Sequence, residues 1–451
     1  MRARTLLIAA GSILLLPAPV CRAADPPSPG PLSLSLRETI ELAYANNKDL
    51  QIQEKEIRAA RAARLGAVSP FLPHVGVTGD FTHNSATLFA GGNTPFAFDS
   101  EKDVGVFTGY KENIKAGGSV AQSVYRGGGD YAALKKANLE IRVQEETLRA
   151  RRLDVEFEAK RLYYGLLLAQ ENECIAEDLL TQAQAHYADV SHKYTQGTSS
   201  RFDLLQSKVH VSLLIPQLVR AQNSIELIDA DLKKLLSLRM QDRVVLTEPL
   251  EHTLIAIDEE SFLKRAYAQK PEMILKALGV DMGSWSIRQA RATRLPQVDA
   301  ALNTSFQSDE PGDMFNSRHN LWSVGVNVTV PIFDGFFTKS KVDAAWARYA
   351  QAGLSKENTA ETTAVEVRRA CLDLRQAQTI IDSQRDNIVE AREALRISEV
   401  AYDNGVGTNL DVLDSLVSLN QAQQYYVSGI YDYLMARASL DRTLGESVVT
   451  P

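Results

Sequence analysis

This 451-residue chain is written twice in constant register, and that constrains its fold more than any other feature. Ala43-Tyr44-Ala45 matches Ala266-Tyr267-Ala268, and Leu72-Pro73 matches Leu295-Pro296, both at an offset of 223. Farther on, Val124-Tyr125-Arg126-Gly127 matches Ile332-Phe333-Asp334-Gly335 at an offset of 208. Tyr194, Gly197, Asp203 and Leu205 match Tyr402, Gly405, Asp411 and Leu413 at the same 208. Two units therefore align on either side of one region, where the first copy is 15 residues longer. A tandem duplication predicts a pseudo-symmetric architecture, and the variable region marks a loop.

Each unit predicts the same series of elements. A helical pattern covers about 34–70 in the first repeat, with Leu42, Leu50 and Ile57 at helical spacing, and about 258–293 in the second. The period then falls to two. Val298, Ala300, Leu302 and Phe306 alternate with polar residues, and Trp322, Val324, Val326, Val328 and Val330 form the apolar side of a return strand. The first copy has matching strands from about 72 to 125, and the second from about 296 to 333. Each strand is long enough for a tilted membrane strand of roughly ten residues. Turn-rich segments, Gly91-Gly92-Asn93-Thr94-Pro95 and Pro311-Gly312-Asp313, join the strands and hold the length difference.

Bends at Gly127 and at Pro331 to Gly335 lead into helical patterns of about 62 residues, roughly 95 Å long. Breaks near 197 and 405 then open shorter helices of about 38 residues. Placed end to end, the helices before the strands and after the breaks span roughly 110 Å, close to the single long helix. The expected packing is a long coiled hairpin with one side continuous and the other in two pieces. Pro216 predicts a kink in the shorter helix.

The expected domain plan is a signal peptide at 1–23, a linker at 24–33, repeat 1 at 34–239, an inter-repeat linker at 240–256, repeat 2 at 257–446 and a tail at 447–451. Arg2, Arg4 and the apolar run Leu6 to Leu16 supply the signal features, and Cys21-Arg22-Ala23 fits a cleavage site. Val20 directly before Cys21 argues against lipidation. Cleavage removes three arginines, so the formal charge moves from −7 to −10, which argues against nucleic acid as a partner. The spacing of Cys174 and Cys371 in the repeat frame excludes a disulfide and leaves both as small apolar filler.

Four strands with one apolar face cannot close a membrane barrel, because an open edge in lipid leaves backbone groups unpaired. Chains must share one barrel: two would give eight strands and three twelve. The alternative from periodicity is a soluble sheet packed on a helical bundle.

With these motifs the chain resembles the TolC-like outer-membrane efflux proteins. The resemblance covers about 34–446. It rests on the duplication, the Leu-Pro strand entries, Val-Pro-Ile-Phe-Asp-Gly at 330–335, and the series Tyr402, Gly405, Gly407, Thr408, Asp411, Val412, Leu413, Asp414. It implies an α+β membrane protein. In a homotrimer, twelve strands would form a shared transmembrane barrel in the outer-membrane lipid of a Gram-negative cell. A long periplasmic α-helical coiled-coil barrel would continue from it. It implies a passive exit duct docked to a periplasmic adaptor (membrane fusion) protein and to an inner-membrane transporter of RND, ABC or MFS type. It implies no enzymatic activity. The alternative is a non-conducting structural or adhesive protein on a periplasmic stalk.

The residues agree with an absence of cofactors and metals. The seven histidines are scattered, with His186 and His192 on different helix faces and expected to be exposed. The resemblance makes Asp411 and Asp414 carboxylate rings at a periplasmic aperture, with Asp203 and Tyr402 beside them. Capping alone would equally explain Ser200 with Asp203 and Thr408 with Asp411. The adaptor-docking tip would be Gly197, Thr198, Ser199, Gly405, Val406 and Gly407, and the strand-to-helix bends Gly127, Pro331 and Gly335. In the family's best-studied member an arginine occupies the position of Gly407 and a hydroxyl residue that of Phe202, and both take part in closing links. Here the closed tip is expected to be held by other contacts or to be held less firmly.

Overall fold

The computed structural model describes residues 32–83, 112–308 and 320–447. The expected signal peptide with Cys21, the turn-rich strand connections and the last tail residues lie outside these. Ser35 opens the first helix with a closed capping box. Its hydroxyl accepts from the Glu38 N–H, and the Glu38 carboxylate accepts from the Ser35 N–H. That helix, α1 (Leu36–Asn46), buries Thr39, Ile40 and Ala43.

The expected single helix over 34–70 is broken. Asn47, at φ −64° and ψ 124°, ends α1 and caps α2 (Lys48–Val68), its Oδ1 accepting from the N–H of Asp49 (2.8 Å) and of Leu50 (3.2 Å). The second repeat breaks at the equivalent residue, Lys270, between α5 (Glu259–Gln269) and α6 (Pro271–Ala292). There Pro271 disfavours helical backbone at the residue before it and cannot donate an N–H. The apolar stripe runs across both breaks, so periodicity alone misses them.

Four strands form one antiparallel sheet in the order β2 (His74–His83), β3 (Glu112–Arg126), β5 (Gln297–Ser308), β6 (Asn320–Thr329). The two hairpins share one register. His74 pairs with Ala121 in the first and Gln297 with Thr329 in the second, and the offsets 223 and 208 convert one pair into the other. β2 and β6 are its edges, free among the described residues. The sheet's apolar rows are bare within one chain: Val77 is 85% exposed and Trp322 is 73% exposed. A three-residue parallel pair, β1 (Leu32–Leu34) with β4 (Val244–Leu246), ties the first described residues to the inter-repeat linker.

The long helices are α3 (Gly129–Thr195) and α7 (Phe337–Asp403), 67 residues each and about 100 Å long. Each turns back into a 36-residue helix, α4 (Arg201–Leu236) or α8 (Asn409–Leu444). The helix bounds of the two hairpins differ by 208 throughout. α2 packs on α3, α6 on both α3 and α7, and α3 meets α8 along the seam between the repeats. The apolar core lies mainly in strips between helices. One strip holds Tyr433, Leu440 and Leu374, a second Ile40, Leu162 and Leu232, and a third, toward the turns, Leu179, Ala183, Leu413 and Leu416. Pro216 lies inside α4, which continues through it. Cys371 is buried as filler, but Cys174 is exposed, because its position on α3 faces outward where no described helix covers it.

Candidate functional site at the hairpin turns

Both turns are built alike. α3 ends through Gly197 at φ 79°, with the N–H of Gly197 donating to Tyr194 O and that of Thr198 to Lys193 O. α7 ends through Gly405 at φ 72°, with the N–H of Gly405 donating to Tyr402 O and that of Val406 to Ala401 O. This left-handed helix ending suits glycine because a Cβ there is strained. Gly407 plays another part. A Cβ on it would sit 3.0 Å from Ala401 Cβ and from Tyr402 N, so its smallness permits close approach. The side chain of Val406 projects into solvent, 84% exposed.

Asp203 and Asp411 occupy equivalent positions. Ser200 Oγ donates to Asp203 Oδ2 at 2.6 Å and Thr408 Oγ1 to Asp411 Oδ2 at 2.7 Å, each inside a complete capping box. The Thr408 hydroxyl and N–H together hold the Asp411 carboxyl below the usual carboxylate range, so it carries full charge at neutral pH. Asp414 lies one turn along α8, exposed, and makes no ion pair among the described residues.

A set of contacts ties the two hairpins together at this end. Lys193 Nζ lies 2.7 Å from Asp403 Oδ1 and 4.2 Å from the centre of the Tyr402 ring. The Tyr402 hydroxyl stands 3.4 Å from Ser199 Oγ, and its ring meets His186 edge-on at 5.4 Å. His186 Nε2 is 2.7 Å from Asn409 Oδ1, which also accepts from Ser207 Oγ at 3.0 Å. Asn409 Nδ2 donates to Gln206 Oε1 at 3.0 Å. Asn409 is 2% exposed, so these bonds sit in a dry seam.

His186 therefore departs from expectation. It is half-buried and bonded across the seam, because α8 packs over that face of α3; His192 is exposed. Sequence reasoning also missed Lys193 and Asn409. His186 and Lys193 are seven apart on one helix, which places them on one face, and that spacing was a usable signal. Asn409 follows the cap residue and carried none.

The expected bends sit between sheet and helices. Gly127 has φ 62°, and a Cβ there would be 2.4 Å from Ala292 O, so it marks a backbone crossing. Gly335, at φ 65°, has open space around it. Pro331 follows the end of β6, where its missing N–H suits a strand terminus.

A family model described as outer membrane efflux protein matches residues 39–237 and 262–446. The chain belongs to this family. The outer membrane efflux protein fold recurs in solved structures: the Vibrio cholerae outer membrane protein VceC superposes with a TM-score of 0.78 at 18% identity, over 91% of this chain and 96% of that one. A membrane protein from Pseudomonas aeruginosa gives 0.80 at 20% identity, over 91% and 90%. By sequence, the alkaline protease secretion protein AprF of Pseudomonas aeruginosa is 22% identical, covering 90% of this chain and 84% of AprF. The outer membrane protein TolC of Escherichia coli is 21% identical, covering 91% and 82%. As an outer membrane efflux protein the chain is an exit channel for efflux or secretion, in the outer membrane with a periplasmic portion. No described helix is long and apolar enough to cross a membrane.

Proposed function

We propose that three copies of this outer membrane efflux protein share one twelve-stranded barrel and one periplasmic tunnel, forming the passive duct of a tripartite export system. The observation that carries this reading is the four-stranded sheet with two free edges and bare apolar rows. In lipid such a sheet is tenable only when its edges pair with other copies. The turns around Gly197, Thr198, Ser199, Gly405, Val406 and Gly407 would dock a periplasmic adaptor, with an RND, ABC or MFS transporter beneath it. The relative named for alkaline protease secretion supports such partners. Asp411 and Asp414 supply the negative field of the aperture beside Tyr402 and Asp203.

Mass measurement in detergent and conductance in planar bilayers test the reading together. A trimer that conducts, with cation selectivity, is expected. A stable folded monomer refutes the assembly, and an intact trimer without conductance favours the stalk alternative.

A further inference from the structure

Within one chain, the seam near the turns sets Asn409 of the second repeat against His186, Gln206 and Ser207 of the first. The four hairpin helices repeat at an offset of 208 without a slip. A ring closed by copies of this chain repeats the seam between chains, with the repeats exchanging places. Asn409 is then replaced by Arg201 of the next protomer, Gln206 by Asp414, Ser207 by Ser415 and His186 by Ala394.

The exchanged residues are complementary twice over. A neutral pair of amides becomes an arginine facing a carboxylate. A bulky histidine beside a short asparagine becomes an alanine beside a long arginine, so space is conserved.

Exposure shows that the first-repeat face lacks its cover in the single chain. Leu413 is 6% exposed, in the cluster it shares with Leu179 and Ala183, whereas its equivalent Leu205 is 51% exposed. Arg201 is exposed where Asn409 is buried, and neither Arg201 nor Asp414 makes an ion pair among the described residues.

The sheet obeys the same rule. The β3–β5 pair Gly118 with Thr304, carried between chains, becomes Val326 of β6 with Phe81 of β2. Both side chains are exposed apolar groups, so the transferred register sets apolar against apolar.

We propose that Arg201 of each protomer forms an ion pair with Asp414 of its neighbour. The three seams between chains would thus be fastened by Arg201 with Asp414, and the three within chains by the neutral Asn409 cluster together with the Lys193–Asp403 pair. The proposal rests on the trimeric assembly above. The pair exists only while adjacent hairpins keep the spacing of the intrachain seam. Parting of the hairpins frees Asp414 to the aperture, so the fixed charge of the aperture and its spacing change together. An exposed ion pair of this kind loosens with salt.

Two measurements test the pair. The first places Arg201→Cys with Asp414→Cys in a chain carrying Cys174→Ser and Cys371→Ala, and treats the detergent-purified protein with a short bifunctional thiol reagent. Covalent dimers and trimers on a denaturing gel are expected from the double variant and from neither single one. A wild-type mass showing no trimer overturns the assembly and the pair with it. A trimeric double variant that yields only monomer bands overturns the pair alone. The second measurement is planar-bilayer conductance of Arg201→Asp, Asp414→Arg and both together. Each single reversal is expected to lower the closed fraction and change its salt dependence, and the double reversal to restore the closed fraction, with ion selectivity altered because arginine then stands at the aperture. A double variant with a closed fraction as low as the singles overturns the pair, as does an Arg201→Ala channel identical to wild type while Asp414→Ala differs.

Discussion

Replacing Lys193 with alanine removes two contacts that cross between the hairpins: the ion pair with Asp403 and the cation on the Tyr402 ring. The Lys193 side chain is 21% exposed and that of Asp403 63%, so the pair is solvent-screened and worth about 0.5 kcal/mol. The ring contact adds about 0.5 kcal/mol. The third contact of Lys193, with Asp189 at 2.9 Å, lies within α3 and does not bear on the seam. About 1 kcal/mol per protomer shifts the balance between joined and parted hairpins about fivefold. Three protomers moving in concert would give about a hundredfold. The assay is single-channel recording at about 0.1 M salt, where screening has not erased the ion pair. Lys193→Ala is expected to raise the open fraction, Lys193→Arg to leave it near wild type, and Asp403→Asn to give an intermediate value because the ring contact survives. Burial lowers the Lys193 pKa, but bonds to Asp403 and Asp189 outweigh it and hold the pKa above the ordinary lysine value. A raised lysine pKa contributes fully below the unfolded value and is lost only as pH rises through the folded one. The effect is therefore flat from about pH 5 to about pH 9. A Lys193→Ala channel with wild-type open fraction and conductance would refute the reasoning.

The bends predict an asymmetry. Gly127→Ala meets Ala292 O at 2.4 Å and Leu295 Cβ at 2.7 Å and should cost about 2–5 kcal/mol, whereas Gly335→Ala bears only backbone strain of about 1–2 kcal/mol. Yields of folded oligomer on a semi-native gel should fall sharply for the first alone; equal yields contradict the model of the crossing. His210 should make stability pH-dependent, because its Nε2 is buried without a partner among the described residues and burial, then the charge of His186, holds its pKa below the ordinary value. The unfolded chain then binds the proton first, so stability declines as pH falls below about 6.5. His210→Leu should flatten the melting temperature between pH 7 and pH 5, and an unchanged slope assigns the effect elsewhere. Tyr433 donates to Thr253 O at 3.0 Å and accepts from Ile255 N at 2.9 Å, pinning the inter-repeat linker. Tyr433→Phe should cost about 1 kcal/mol and speed proteolysis near residue 254; wild-type cleavage rates would show that the linker is held by other contacts.

Much of the architecture was legible because it depends on local period and punctuation. Alternating valines from Val324 to Val330 identify a strand with one apolar face, and Gly197 and Gly405 stand where two long periodic stretches stop. Ser200 with Asp203 and Thr408 with Asp411 announce caps that the structure forms. The Lys270-Pro271 break was also readable, since proline restricts the residue before it, but the continuous apolar stripe concealed it. Asn47 gave the weaker signal of a cap-forming residue within a helical run.

What the sequence by itself determined is the duplication, the order of elements, and the inference that four one-faced strands require other chains. Each follows from interactions within a few residues, or from the rule that lipid-exposed backbone must be paired. The seam was decided only by tertiary structure. Lys193 and Asp403 are 210 residues apart, His186 and Asn409 are 223 apart, and neither pair shares a motif. Their meeting depends on the angle at which two helices of about 100 Å lie side by side. That angle is set by the summed packing of Leu179, Ala183, Leu413 and Leu416 and is encoded at no single position.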